Sequence, residues 1–180
     1  MIRTFISIEF PEKIKNEVQR IQLILKNLNF LGSFTKSENL HLTLKFLGEI
    51  SEEQLDEIKT RLNKIVFKPL KLHLGQVGSF NFKNNPRIVW IAVLGESIFK
   101  LQASIDEALE GIFQKENQFM SHLTIARIKH LSDKESLKKL ISNLSVDASE
   151  FIISSFFLKK SELKKDGPIY TTLEEFYSTQ

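Results

Sequence analysis

An α+β fold built by internal duplication is predicted by three features of this 180-residue chain. Stretches with strand alternation are interleaved with amphipathic helical stripes. A His-Leu-Thr strand occurs twice, at His41 and at His122. One shift of 81 positions then carries His41 to His122, Ser51 to Ser132 and Leu70 to Phe151. Each half reads strand-helix-strand-helix-strand, so one domain of two pseudo-repeats is expected, roughly 1–85 and 86–180. The helix stripes do not obey the same shift, because Leu55, Ile58 and Leu62 map onto Ser136, Lys139 and Asn143.

In order along the chain, residues 2 to 9 alternate Ile2, Thr4, Ile6, Ile8 against Arg3, Phe5, Ser7, Glu9, the pattern of a strand ended by Pro11. From Pro11 to about Asn29, Ile14, Val18, Ile21, Leu25 and Leu28 recur at helical spacing. Past Gly32, residues 39 to 47 alternate again. Leu40, Leu42, Leu44 and Phe46 form a greasy face, His41, Thr43, Lys45 and Leu47 the other, and Gly48 closes the strand. Ser51 to Gln54 is a capping box opening a helix that ends before Pro69. A strand near Leu70 to Leu74 follows. Arg87 to Leu94 is nearly all apolar and reads as a strand buried on both faces, with Trp90 in the core. Helical spacing returns from Ser97 to Phe113. The second HLT strand runs from Ser121 to Arg127, a second capping box covers Ser132 to Glu135, one strand spans Phe151 to Lys159, and a turn at Gly167-Pro168 feeds a last strand to about Phe176.

With 42% hydrophobic and 26% charged residues, seven Gly and four Pro, the composition excludes disordered and collagen-like classes. Zero Cys excludes disulfides, thiol nucleophiles, iron–sulfur clusters and Cys-based zinc sites. Glu9 interrupts the apolar opening that a signal peptide needs, and no stretch reaches the ~18 apolar residues of a membrane span. A soluble, cytoplasmic protein without membrane attachment is expected. The net charge of +3 tolerates a polyanionic partner without requiring one.

The chemistry rests on the two HLT triplets. On a strand, i and i+2 share a face, so each triplet sets an imidazole beside a hydroxyl while its leucine anchors the core. Under a pseudo-twofold the two His-Thr pairs would face each other across a cleft, placing imidazoles on opposite sides of one substrate atom. That suits opening of a ribose 2′,3′-cyclic phosphate, where one group takes a proton and another returns one. Histidine serves both roles near neutral pH, and each positioned transfer is typically worth roughly 10² to 10⁴ in rate. Thr43 and Thr124 would hold phosphate oxygens, and Arg127 would neutralise developing charge. Arg127 has the wrong parity relative to Thr124 on a flat strand and needs a bulge, a strand end or a long reach. Lys45 shares parity with His41 and Thr43 and could line the cleft as a second substrate-binding cation.

The segments ENLHLTLKFLGEI and SHLTIAR resemble the paired H-x-T-x signatures of the 2H phosphoesterase superfamily. Nearly end to end, including RTFISIEFP, NPRIVWIAV and the stretch from Ser161 through Pro168-Ile-Tyr-Thr-Thr-Leu173, the chain is similar to the RNA 2′,3′-cyclic phosphodiesterase branch, also called 2′-5′ RNA ligase. The resemblance implies a bilobal fold, an antiparallel-rich sheet in each lobe with helices on its outer face, and an active-site groove between the lobes. It implies His41 as proton donor, His122 as proton acceptor, and hydrolysis of RNA 2′,3′-cyclic phosphate ends to 2′-phosphomonoesters without metal or other cofactor. Some members also join or cleave 2′-5′ linkages between RNA ends, tRNA halves included, without ATP. The partners expected are such RNA ends or cyclic nucleotides, for a monomer without an obligate protein partner. Ser121 stands where proline is common.

Rivals are weaker. A noncatalytic module that holds a terminal phosphate would use the same groove. A metal site would have to recruit His73 or His130, because neither triplet contains a carboxylate, and tetrahedral zinc wants three or four ligands. Phe80, Phe82 and Phe119 could stack on bases, although in a chain with 15 Phe core packing is the default for any one of them.

Overall fold

The computed structural model describes residues 1–179. Its strands are β1 (Ile2–Glu9), β2 (Leu31–Phe34), β3 (His41–Ile50), β4 (Leu70–Phe82), β5 (Asn85–Leu94), β6 (His122–His130), β7 (Phe151–Ile153), β8 (Ser155–Lys164) and β9 (Gly167–Tyr177). Its helices are α1 (Glu12–Leu25), α2 (Glu52–Leu62), α3 (Glu96–Ala108) and α4 (Lys134–Asn143). The first sheet has the order β3-β1-β8-β9 and the second β2-β6-β5-β4-β7, with antiparallel pairing throughout. This is the α+β, two-sheet duplication expected. Among the described residues no helix is long and apolar enough to cross a membrane.

The cores β3-β1-β8 and β6-β5-β4 superimpose in order when β1 is matched to β5, β3 to β6 and β8 to β4. The sheets are therefore not the halves of the chain. β4, early in sequence, completes the second sheet, and β8, late in sequence, completes the first. Neither half can close its own sheet, which ties both into one unit.

Matching extends to backbone irregularities. Ile6 pairs with Lys45 and Ser7 with Thr43, which leaves Leu44 as an extra residue. Val89 pairs with Ala126 and Trp90 with Thr124, which leaves Ile125 extra. The two bulges stand 81 positions apart, and burial runs identically along both strands: half-buried His41 and His122, buried leucine, half-buried threonine, two buried residues, then an exposed Phe46 or Arg127. A bulge flips parity beyond it. Leu47 is consequently buried while Phe46 is 71% exposed, the reverse of simple alternation. A second irregularity leaves Leu47 extra beside Gly48 (φ +74°), and β3 continues past it to Ile50 instead of stopping.

The helices carry the same symmetry with a shift of 84. Ile14, Val18, Ile21, Gln22 and Leu25 are buried, as are Ile98, Gln102, Ile105, Asp106 and Leu109. α1 packs on β6 of the second sheet, and α3 packs on β3 of the first sheet and on β4 of the second. One polar residue per helix pins the facing bulge: Gln22 Nε2 donates to the Ile125 carbonyl at 2.9 Å, and Asp106 accepts from Lys45.

Three local expectations change. The stretch expected as one strand from Phe151 to Lys159 breaks at Ser154, so that β7 joins β4 and β8 joins β1. The cap of α4 is Asp133, whose carboxylate accepts from the Ser136 N–H at 2.9 Å and its hydroxyl at 2.6 Å, so the Ser51 match lies one residue from Ser132. At α2 the expected box forms, with Ser51 Oγ accepting from Gln54 N and Gln54 Oε1 from Ser51 N. Trp90 is half-buried, with its ring against Phe80 and His122 rather than inside the core.

Candidate active site

His41 and His122 each open a strand, and each ring is tethered in the same way. Nδ1 lies 2.7 Å from the carbonyl two residues back, Asn39 for His41 and Met120 for His122. A carbonyl only accepts, so Nδ1 carries the hydrogen and Nε2 of the neutral ring keeps a lone pair. The residues before the histidines are held in turn. Asn39 Nδ2 donates to the Pro168 carbonyl at 3.0 Å, and the Ser121 hydroxyl donates to the Val93 carbonyl at 2.7 Å. Aromatic rings form the walls: Phe5 (4.9 Å) and Tyr170 (5.1 Å) at His41, Phe80 (5.0 Å) and Trp90 (6.4 Å) at His122. Thr43 and Thr124 follow on the same face, half-buried, just before the bulges.

The bulge at Ile125 supplies what Arg127 needed. Past it, Arg127 shares a face with His122 and Thr124, and its charge acts on His41 and on Tyr170 of the other sheet. β3 and β6 are in contact, and the effect of Arg127 on His41 places the guanidinium of the second strand near the ring of the first. Burial is the main cause that pushes the His41 imidazole down, to about 4. Its Asn39 bond works against that, Lys159 and Arg127 add to it, and Glu9 opposes it. The ligand-free ring is therefore neutral at pH 7. Burial raises the Tyr170 phenol, against the pull of Arg127 and Arg3.

Lys45 departs from expectation. The bulge at Leu44 turns it to the helix side, where its buried ammonium pairs with Asp106 and donates to the Gln114 carbonyl at 2.7 Å. Asp106 also accepts from Gln102 (2.8 Å) and the Glu116 N–H (3.0 Å). Burial alone would raise that carboxyl, but these donors outweigh it and hold it below the usual range. The groove cation of the first sheet is instead Lys159 on β8, buried, paired with Glu9 and lying over the Phe157 ring. Sequence alternation in β8 marks Lys159 as one of a row of lysines, and only the pairing of β8 beside β1 distinguishes it. Tyr170 falls inside a segment carrying the resemblance, but its contact with His41 is invisible along the chain. His73 and His130 are exposed, and among the described residues no group of three or more His, Cys, Asp or Glu is placed to hold a metal. The hollow lined by Arg61, Lys64, Ser104 and Glu107 lies between α2 and α3 and contains none of these residues.

The geometry has counterparts among known proteins. The model of the family described as LigT like Phosphoesterase matches residues 8–90 and 92–170. A protein of Methanocaldococcus jannaschii named RNA 2′,3′-cyclic phosphodiesterase is 37% identical, covering 97% of this chain and 100% of its own length. One of that name from Archaeoglobus fulgidus is 33% identical, covering 97% and 99%. Among solved structures, TT0787 of Thermus thermophilus superimposes with a TM-score of 0.83 at 26% identity, covering 98% of this chain and 97% of its own. Escherichia coli LigT complexed with 3′-AMP has the same fold, with a TM-score of 0.79 at 21% identity and coverage of 99% and 98%. The chain belongs to the LigT-like phosphoesterase family of 2H phosphoesterases.

Proposed function

We propose that this phosphoesterase opens RNA 2′,3′-cyclic phosphate ends to 2′-phosphomonoesters, using His41 as proton donor and His122 as proton acceptor. The observation that carries the reading is the pair of imidazoles with identical Nδ1 tethers, on strands that touch and with Arg127 of one strand acting on His41 of the other. The relatives at 33% and 37% identity bear the name of that activity over their whole length.

Water attacks phosphorus as His122 Nε2 removes its proton. The P–O3′ bond breaks, and His41 Nε2 protonates the departing 3′ oxygen, leaving a 2′-phosphate and a 3′-hydroxyl. Thr43, Thr124 and Arg127 hold the nonbridging oxygens, and the exposed Phe46 ring, on the face of His41, is available to a base. Because His41 is neutral when the groove is empty, its donor role requires the substrate anion, whose charge offsets Lys159 and Arg127 and draws a proton onto the ring. Replacing water by an RNA 5′-hydroxyl along the same path gives 2′-5′ joining of ends such as tRNA halves. The reading includes action without metal, in the cytoplasm, by a monomer made of two pseudo-repeats, roughly 1–85 and 86–180.

The test is incubation with a 2′,3′-cyclic nucleotide in EDTA, with the 2′-monophosphate expected as product. Release of 3′-monophosphate, or turnover appearing only on adding zinc, would overturn the chemistry as written. Binding of RNA ends with no turnover would favour the noncatalytic module.

A further inference from the structure

We infer that the β4–β5 hairpin and the adjoining end of β6 hold the single-stranded RNA leading to the reacting end, with Phe82 as platform for the base next to the terminal nucleotide. This rests on the proposed phosphodiesterase reading, which places the terminal phosphate between the two histidines.

Phe80 and Phe82 share a face of β4. Phe80 stands edge-on to His122 at 5.0 Å, and Phe82 lies two residues further out, ~7 Å along the strand. That ring is 60% exposed. The two-residue loop beyond it, Lys83-Asn84, has φ of +47° and +60°, the left-handed pair of a tight hairpin, which costs a lysine strain that glycine would avoid. This turn directs Lys83 back over the Phe82 ring, with Nζ 5.5 Å from its centre. Arg87 leans across to β6 and donates to the Lys129 carbonyl at 2.6 Å. Proceeding along β6 from His122 past Thr124 and Arg127, one reaches Lys129 and the hairpin end.

The charges here are unspent. Among the described residues none of Lys83, Arg87, Arg127 and Lys129 belongs to an ion pair, whereas near the first sheet Lys160 and Lys164 share Glu162 and Lys59 pairs with Glu174. An exposed ring flanked by uncompensated cations suits single-stranded nucleic acid, because stacking tolerates any base and the cations follow the phosphates. The other two phenylalanines raised by the sequence are less available: Phe80 is a wall of His122, and Phe119 packs edge-on against Phe99.

Two ligands separate the inference from the reading beneath it: a nucleoside 2′-monophosphate, and a ten-nucleotide RNA ending in 2′-phosphate, with the cyclic forms of both for turnover. Phe82→Ala should weaken binding and kcat/KM for the oligonucleotide about 5- to 100-fold and leave the mononucleotide within about twofold. Phe82→Trp should retain oligonucleotide affinity. Lys83→Ala should flatten the salt dependence of oligonucleotide binding by about 0.7 in logarithmic slope if it meets one phosphate. Equal losses on both ligands, or none on the oligonucleotide, would overturn the inference. Oligonucleotide binding that depends on Phe82 without any turnover would instead sink the phosphodiesterase reading and leave the strand track standing.

Discussion

The two sheets build the same device from different neighbours. Both histidines open a strand, both are tethered through Nδ1, and both strands bulge at the same position. Around His122 the floor is aromatic. Trp90 lies so close over Gly78 that a Cβ there would come within 2.3 Å of the indole, and Phe80 completes the wall. Around His41 the surroundings add charge to the rings of Phe5 and Tyr170, through the paired Lys159 and Glu9. Duplication has kept the backbone that aims the imidazoles, while residues on adjacent strands have diverged. Identical tethers aim the two imidazoles alike, while unequal neighbours set different charges beside them.

The strongest way to break that comparison is to remove either ring. His41→Ala and His122→Ala should each lower kcat/KM on a cyclic nucleotide by about 10² to 10⁴, and the double variant should fall little below the worse single one, because the rings act in one step. Near-wild-type turnover in either variant would mean that the sheets do not share the reaction.

Next in size are the pins that join each helix to the opposite bulge. Lys45→Met leaves Asp106 buried without its cation, for an expected loss of about 3–5 kcal/mol, whereas Gln22→Ala removes a neutral donor for about 1 kcal/mol. Thermal unfolding should show the first as a fall in Tm of roughly 6–20 °C, with KM unchanged in the protein that remains folded. A raised KM with unchanged Tm would return Lys45 to the groove.

This contrast also separates what the sequence discloses from what it conceals. The triplets, their spacing, the α2 cap and the interleaving of strands and helices are local patterns and could be read along the chain. The Arg127 parity problem was legible too, as a requirement for a bulge. The position of each bulge was not, since Leu44 and Ile125 are extra only by reference to β1 and β5. By that single residue Lys45 leaves the face that simple alternation gives it, and Phe46 joins the face of His41. The placing of β8 beside β1 while β7 joins β4 likewise depends on a break at Ser154 that no periodicity marks. Lys159 emerges only when β8 is laid beside β1.

The smallest expected effect is the most specific to the unequal floors, and it is read from the His41 ring by NMR titration without reference to turnover. Glu9 on β1, Lys159 on β8, Tyr170 on β9 and Arg127 on β6 all face that ring. Lys159→Met removes a cation and frees the Glu9 carboxylate, and both changes favour the imidazolium. His41 should then titrate higher than about 4 by roughly one pH unit. Lys159→Arg should hold the wild-type value, and Glu9→Gln should shift the ring in the opposite direction. Folding stability must follow the same sign. In the wild type the unfolded imidazole, at its ordinary 6.5, takes a proton that the folded ring refuses until about pH 4, so stability is full above pH 6.5 and declines across that window, at up to about 1.4 kcal/mol per pH unit. Lys159→Met should narrow the window from its acid end and lessen the decline. If Lys159→Met and Glu9→Gln moved the ring in one direction, loosened packing rather than the Lys159–Glu9 charges would explain the change.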